Sequence, residues 1–207
     1  MSLAFDVALA LAAVALALAF KPWRAVPATG PPWPWFAAWV AMSLLWAADR
    51  LVAMPILQPL SGAPLLVLMA GWPLAMPALA LSAGLGAAVG ALAPAEALHR
   101  MIWLGVVPGT LALLLGAAIR RWLPHHLMIY ILGRGFFATM FALACTGLFA
   151  LAADPPPAGT ETSDLLLARW LGAFGEATLT GMLVAIFVAF RPHWLATYSD
   201  RLYLPQK

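Results

Sequence analysis

Long apolar runs, rarely interrupted, dominate the chain. Residues 3–20, 33–48, 101–119, 127–153 and 165–190 are apolar over lengths that suit a bilayer crossing. A hydrocarbon core takes about 20 residues of helix, at about 1.5 Å of rise each. Backbone inside lipid must satisfy its own hydrogen bonds, so the pattern predicts an all-α fold, a polytopic transmembrane helical bundle. Polar positions collect between the runs. The longest polar stretch, Asp154 to Asp164, reads as a loop.

The basic residues orient the runs. Lys and Arg in short loops mark the cytoplasmic side. Lys21 and Arg24 follow the first run, Arg120 and Arg121 the run at 101–119, and Arg191, Arg201 and Lys207 the last. The 154–164 loop has Asp154, Glu161 and Asp164 and no basic residue, so it is expected outside. The segment at 33–50 then ends outside, and the run at 101–119 starts there. Residues 53–95 must therefore cross an even number of times. Two short helices broken near Gly71-Trp72-Pro73 fit that length, because glycine and proline disfavour one straight helix. The expected total is about seven helices, N-terminus outside and C-terminus inside. A re-entrant hairpin with five crossings is the alternative.

Composition removes other classes. Hydrophobic residues make up 64% of the chain and charged residues 9%, against roughly a quarter charged in soluble domains. A single integral membrane domain over 1–207 is expected, with the lipid bilayer as solvent. No Gly-rich phosphate loop ends in Lys-Ser or Lys-Thr, so any ATP-driven motor must come from other chains. The net charge of +3 reflects basic residues at helix ends and does not indicate nucleic acid. Asp6 lies within the first run and Lys21 and Arg24 lie after it, the reverse of a signal peptide, so this run is read as a retained helix. Pro31-Pro32-Trp33-Pro34-Trp35 reads as a helix start with an interfacial anchor. Cys145 is the lone cysteine, a packing residue in an apolar run.

Charges within the runs need a reason, since an intramembrane ion costs several kcal/mol unless paired or hydrated. Glu176 sits near the middle of the last run. Arg169, seven residues earlier, lies about two turns away on the same face. Arg134 is flanked by Gly133 and Gly135, and Asp49 and Arg50 end the second run. One reading is an ion pair of Glu176 with Arg134 or Arg169 that locks two helices. The other is a polar substrate site at mid-depth. Asp49 and Arg50 read as a boundary pair reaching the headgroups. Glu96 and His99, three apart, share one helix face and are the candidate external metal ligands. A divalent metal needs three or four converging ligands, and Met101 faces away from that pair, so no tight cobalt or nickel site is expected in the isolated chain. No Ser-His-Asp, paired-carboxylate or Cys-His arrangement is visible, and no enzymatic activity is expected.

Several segments carry a family resemblance. They are Val107-Pro108-Gly109-Thr110, Arg120-Arg121-Trp122-Leu123-Pro124-His125-His126, Tyr130-Ile131-Leu132-Gly133-Arg134-Gly135-Phe136-Phe137 and Gly175-Glu176-Ala177-Thr178-Leu179-Thr180-Gly181-Met182. Phe190-Arg191-Pro192-His193-Trp194 and Tyr198-Ser199-Asp200-Arg201-Leu202-Tyr203-Leu204 complete the set. Across roughly 65–205 the chain resembles a bacterial membrane family labelled energy-coupling-factor transporter permease, distantly similar to cobalt and nickel substrate-binding membrane subunits. The resemblance implies a seven-helix bundle in the bacterial inner membrane. It also puts Glu176 where those metal subunits carry an acidic residue in the last helix. They begin Met-His and carry a His-Pro-Thr-Gly-type loop. This chain begins Met1-Ser2-Leu3 and has no histidine over 53–95. The expected function is a substrate-binding or permease-like subunit, with transition-metal ions as one candidate cargo and other membrane subunits as partners. The alternative is a non-transporting accessory subunit of a larger membrane complex. The sequence names no cofactor.

Overall fold

The computed structural model describes residues 3–26, 30–52, 58–153, 156 and 159–204. Met1, Ser2, Asp154 and Lys207, on which expectations rested, lie outside the described residues, as does the stretch 53–57. Every regular element among the described residues is helical. The longer ones are α1 (Leu3–Ala19), α2 (Trp33–Trp46), α3 (Ala63–Ala70), α4 (Trp72–Gly90), α5 (Pro94–Trp122), α6 (Ile129–Ala153) and α7 (Thr162–Phe190). One further turn, Ala48–Leu51, follows α2, and another, Asp200–Tyr203, lies in the C-terminal tail.

Four of these, α4 to α7, are long and apolar enough to cross a membrane; α1, with 17 residues, is shorter. The chain is therefore a helical protein of multi-pass membrane type. Exposed large side chains such as Leu11, Leu81, Phe141, Leu148 and Leu171 line the outer flanks of the helices. Such flanks suit lipid, where an apolar side chain has no reason to hide.

The 53–95 region departs from two short helices, because only one of its two parts is short. The break falls at Gly71, as the Gly71-Trp72-Pro73 signal predicts, but the parts are unequal. α3 has eight residues and α4 has nineteen. At 1.5 Å per residue α3 is about 12 Å long, less than half a hydrocarbon core. Glycine makes both ends possible. Gly62 has φ 70° and ψ −14°, and Gly71 has φ 79° and ψ 153°. The second combination is essentially reserved for glycine. Seven of the eight residues of α3 are buried, so this half-helix lies inside the bundle rather than on it.

Two polar ends follow from the contacts. At one end, Asp6 of α1 meets His99 of α5, and Asp49 and Arg50 meet Glu96 and Arg100. At the other, the tail after α7 folds back onto α3. Ala196 N donates to Met69 O at 2.8 Å and Thr197 Oγ1 to Leu68 O at 3.0 Å. These bonds satisfy carbonyls that a helix C-terminus otherwise leaves open. Tyr130, Tyr198 and Tyr203 pack together there, with ring centroids 4.9 to 5.5 Å apart.

Candidate functional site around Glu176

Glu176 lies fourteen residues from each end of α7 and is only 6% exposed. Its carboxylate meets the start of α3. Ser61 N donates to Oε2 at 2.7 Å and Gly62 N to Oε1 at 2.8 Å. A helix N-terminus leaves its first N–H groups without intrahelical partners and carries a partial positive charge. Glu176 supplies what that end lacks.

Ser61 ties the junction to two other elements, α5 and α2. Its hydroxyl donates to Leu104 O at 2.6 Å and accepts from Ala63 N at 3.1 Å, while its carbonyl accepts from Trp46 Nε1 at 2.8 Å. Leu104 belongs to a stretch of α5, Met101–Val106, that is widened to π geometry. Gly105 in that stretch lets Trp46 come close: a Cβ there would meet its ring at 2.9 Å. Proline follows two residues after each glycine, at Gly62-Ala63-Pro64 and Gly71-Trp72-Pro73. That repeated Gly-x-Pro pattern is the sequence signal that brackets the half-helix.

The expected ion pair is not formed. Among the described residues neither Arg134 nor Arg169 makes a salt bridge to Glu176; two backbone amides take the place of a guanidinium. Depth explains Arg134. It stands five residues into α6, near the tail end, whereas Glu176 is at the middle of α7. The levels differ by about 14 Å at 1.5 Å per residue. Arg134 instead donates to Thr197 O at 3.2 Å and sits 5.4 Å from the centre of the Tyr130 ring. Arg169 is about 10 Å of helix rise from Glu176 and is bonded elsewhere. Its Nη1 donates to Gly147 O, its stem lies against Gly147, and its Nε has no partner among the described residues.

Asp49 and Arg50 do not form a simple boundary pair either. Arg100 binds Asp49 through both guanidinium nitrogens at 2.7 Å and Glu96 at 2.7 Å, and also donates to Trp46 O. Arg50 reaches Glu96 at 2.9 Å but Asp49 only at 3.8 Å. The hydrogen bond from Arg100 is the main reason that the Asp49 carboxyl is held below its ordinary value. Arg100 was not singled out in the sequence. Its charge is unremarkable there, and only the approach of α5 to the turn after α2 makes it the hub of four charges.

The metal candidates are occupied by these partners. Glu96 is held by two arginines, and His99 Nδ1 lies 3.0 Å from Asp6 Oδ2. Among the described residues no group of three or more His, Cys, Asp or Glu converges as metal ligands would.

Two cavities reach the junction, one lined by Ser61 and the other by Gly62 and Glu176. The first, of about 350 Å³, lies toward the charged end, with Asp49, His99, Arg100 and Arg169 on its wall beside Trp103 and Leu143. The other, of about 390 Å³, is an apolar groove between α2 and α7, floored by Leu65 and Met69 of α3. Glu176 lines the groove, and also lines a small crevice with Gln58 and Arg169, both of which line the first cavity too. The Glu176 carboxylate thus stands between an apolar groove and a crevice that leads toward charged side chains. No family model matches the chain, and no curated protein or solved structure matches it either.

Proposed function

We propose that the chain is a membrane-embedded substrate-binding or permease-like subunit of an energy-coupling-factor-type transporter. The observation that carries this reading is Glu176, bonded to the N-terminus of a buried half-helix between two cavities. Broken helices whose termini meet inside a bundle are a recurring way to build substrate and ion sites at mid-membrane. A buried intramembrane carboxylate is itself a functional candidate by default.

The reading includes a bacterial inner membrane, with the Asp49–Glu96 end outside and the basic end inside. Arg120, Arg121, Arg191 and Arg201 flank that second end, as the positive-inside rule favours. The motor and the other subunits are separate chains.

A second reading, an accessory subunit, draws on the same junction. Ser61 has its amide, carbonyl and hydroxyl all bonded within the chain, as a purely structural joint would. Purification from native membrane in mild detergent separates the two. A co-purifying ATP-hydrolysing subunit supports the transporter. A biosynthetic or respiratory enzyme in its place supports the accessory subunit.

A further inference from the structure

The apolar groove restricts what Glu176 could hold. Its walls come chiefly from α2, α3 and α7, and among the described residues that line it Glu176 is the one ionisable side chain. Thr180, one turn further along α7, adds a hydroxyl. Leu45 on one rim is 37% exposed and Leu179 on the other is 52% exposed. Leu179 is three residues from Glu176, so the groove opens sideways at the depth of the carboxylate, where a bilayer is most apolar. Toward the tail it ends against Trp194, whose ring packs edge-on to Phe187 and Trp33 at 5.3 and 5.7 Å.

A hydrated ion fits this space poorly. One carboxylate falls short of the three or four ligands that a divalent metal takes, and the walls cannot replace its water. A polar neutral molecule would leave its groups without partners against those walls. Each Glu176 oxygen accepts one backbone N–H, and a carboxylate oxygen has room for a second donor. The complementary group is one that brings positive charge and N–H donors together on an otherwise apolar body.

We propose that the groove between α2 and α7 binds a lipophilic amine, its ammonium group against Glu176 and its apolar body along Leu65, Leu179 and Leu183, entering from the bilayer. This rests on the reading of Glu176 as the substrate site and gives that site a chemical class. The apolar body replaces lipid tails in the groove at little cost. The charge-assisted hydrogen bond to Glu176 then supplies the selectivity.

The test uses three compounds that share one cage: 1-adamantylamine, 1-adamantanol and 1-adamantanecarboxylate. The full chain is placed in lipid nanodiscs, and binding of tritiated 1-adamantylamine is measured by equilibrium dialysis against empty nanodiscs. Saturable binding is expected, with the alcohol competing about tenfold or more weakly, the scale of a hydrogen bond to a charged group. The carboxylate should not compete. Glu176→Gln should weaken amine binding by a similar factor. Ala41→Phe, which fills the groove from an exposed position on α2 and leaves the carboxylate untouched, should abolish it even if the Glu176 variant folds badly. Equal competition by alcohol and amine, no saturable binding, or undiminished binding to either variant would overturn the proposal. Equal competition would mark the groove as a seat for lipid tails. Those results leave any co-purified ATPase in place, and absence of that ATPase leaves amine binding in place, so the two readings fail separately.

Discussion

Ser61 and Glu176 are 115 residues apart in sequence, and the backbone N–H of one donates to the carboxylate of the other at 2.7 Å. This bond joins the middle of the 29-residue α7 to the turn that leads into the eight-residue α3. It fixes the start of α3 inside the bundle, where the amides of Ser61 and Gly62 would otherwise lack a partner within the protein. Each of those amides costs about 1–3 kcal/mol if left without a partner.

Removal of the carboxylate should therefore show in stability. Glu176→Ala orphans two amides and should lower the thermal midpoint in detergent more than Glu176→Gln, whose amide oxygen still accepts one of them. Unchanged midpoints for both variants would mean that the α3 terminus does not depend on this side chain.

Arg169 should behave in the opposite way. It is bonded to one carbonyl, with no carboxylate partner among the described residues. Arg169→Gln should cost at most about 1.5 kcal/mol, the scale of one hydrogen bond, and so lower the thermal midpoint less than Glu176→Ala. A loss as large as that of Glu176→Ala would show that the two act as a structural pair after all.

Backbone geometry gives a contrast between glycines. A side chain at Gly71 finds ample space, with Pro73 Cδ at 3.9 Å, but the φ of 79° with ψ of 153° strains any other residue. Gly71→Ala should cost about 1–3 kcal/mol. Gly84 lies within α4, with nothing near its absent Cβ. Gly84→Ala should be neutral or stabilising, by up to about 1 kcal/mol. Equal effects in thermal unfolding would contradict the break at Gly71.

The Asp49–Arg100 contact predicts a pH dependence with a definite sign. Arg100 holds the Asp49 carboxyl below its ordinary value of 3.8. A depressed folded-state value adds stability that is fully present above that ordinary value and is lost as pH falls through the folded one. The stability difference between the native chain and Asp49→Asn should be constant near neutral pH and shrink below about pH 4. A difference that grows on acidification would refute the pairing.

Orientation can be checked by impermeant thiol labelling in a Cys145→Ala background. A cysteine replacing Glu161 should react in intact cells, and one replacing Arg121 should react only after lysis. The reverse pattern would invert the proposed orientation.

Much of the helical layout was legible in one dimension. The apolar runs at 127–153 and 165–190 lie close to Ile129–Ala153 and Thr162–Phe190, because helix length in a bilayer is set by hydrophobicity residue by residue. The break at Gly71 was legible too, since glycine at such a φ leaves a local mark. Glu176 stood out because an ionisable residue in the middle of an apolar run is costly wherever the run packs. What the carboxylate bonds to was not legible. Its partners are main-chain amides, which every residue carries and no sequence pattern marks, and only the folding of α3 into the bundle brings them within reach. The same holds for Arg100, which gains its role from the approach of α5 to the turn after α2. Sequence hydrophobicity determined that this chain is built of membrane-type helices and that Glu176 needs compensation. The tertiary structure decided that a helix terminus, not an arginine, provides it, because depth along packed helices decides which groups can meet.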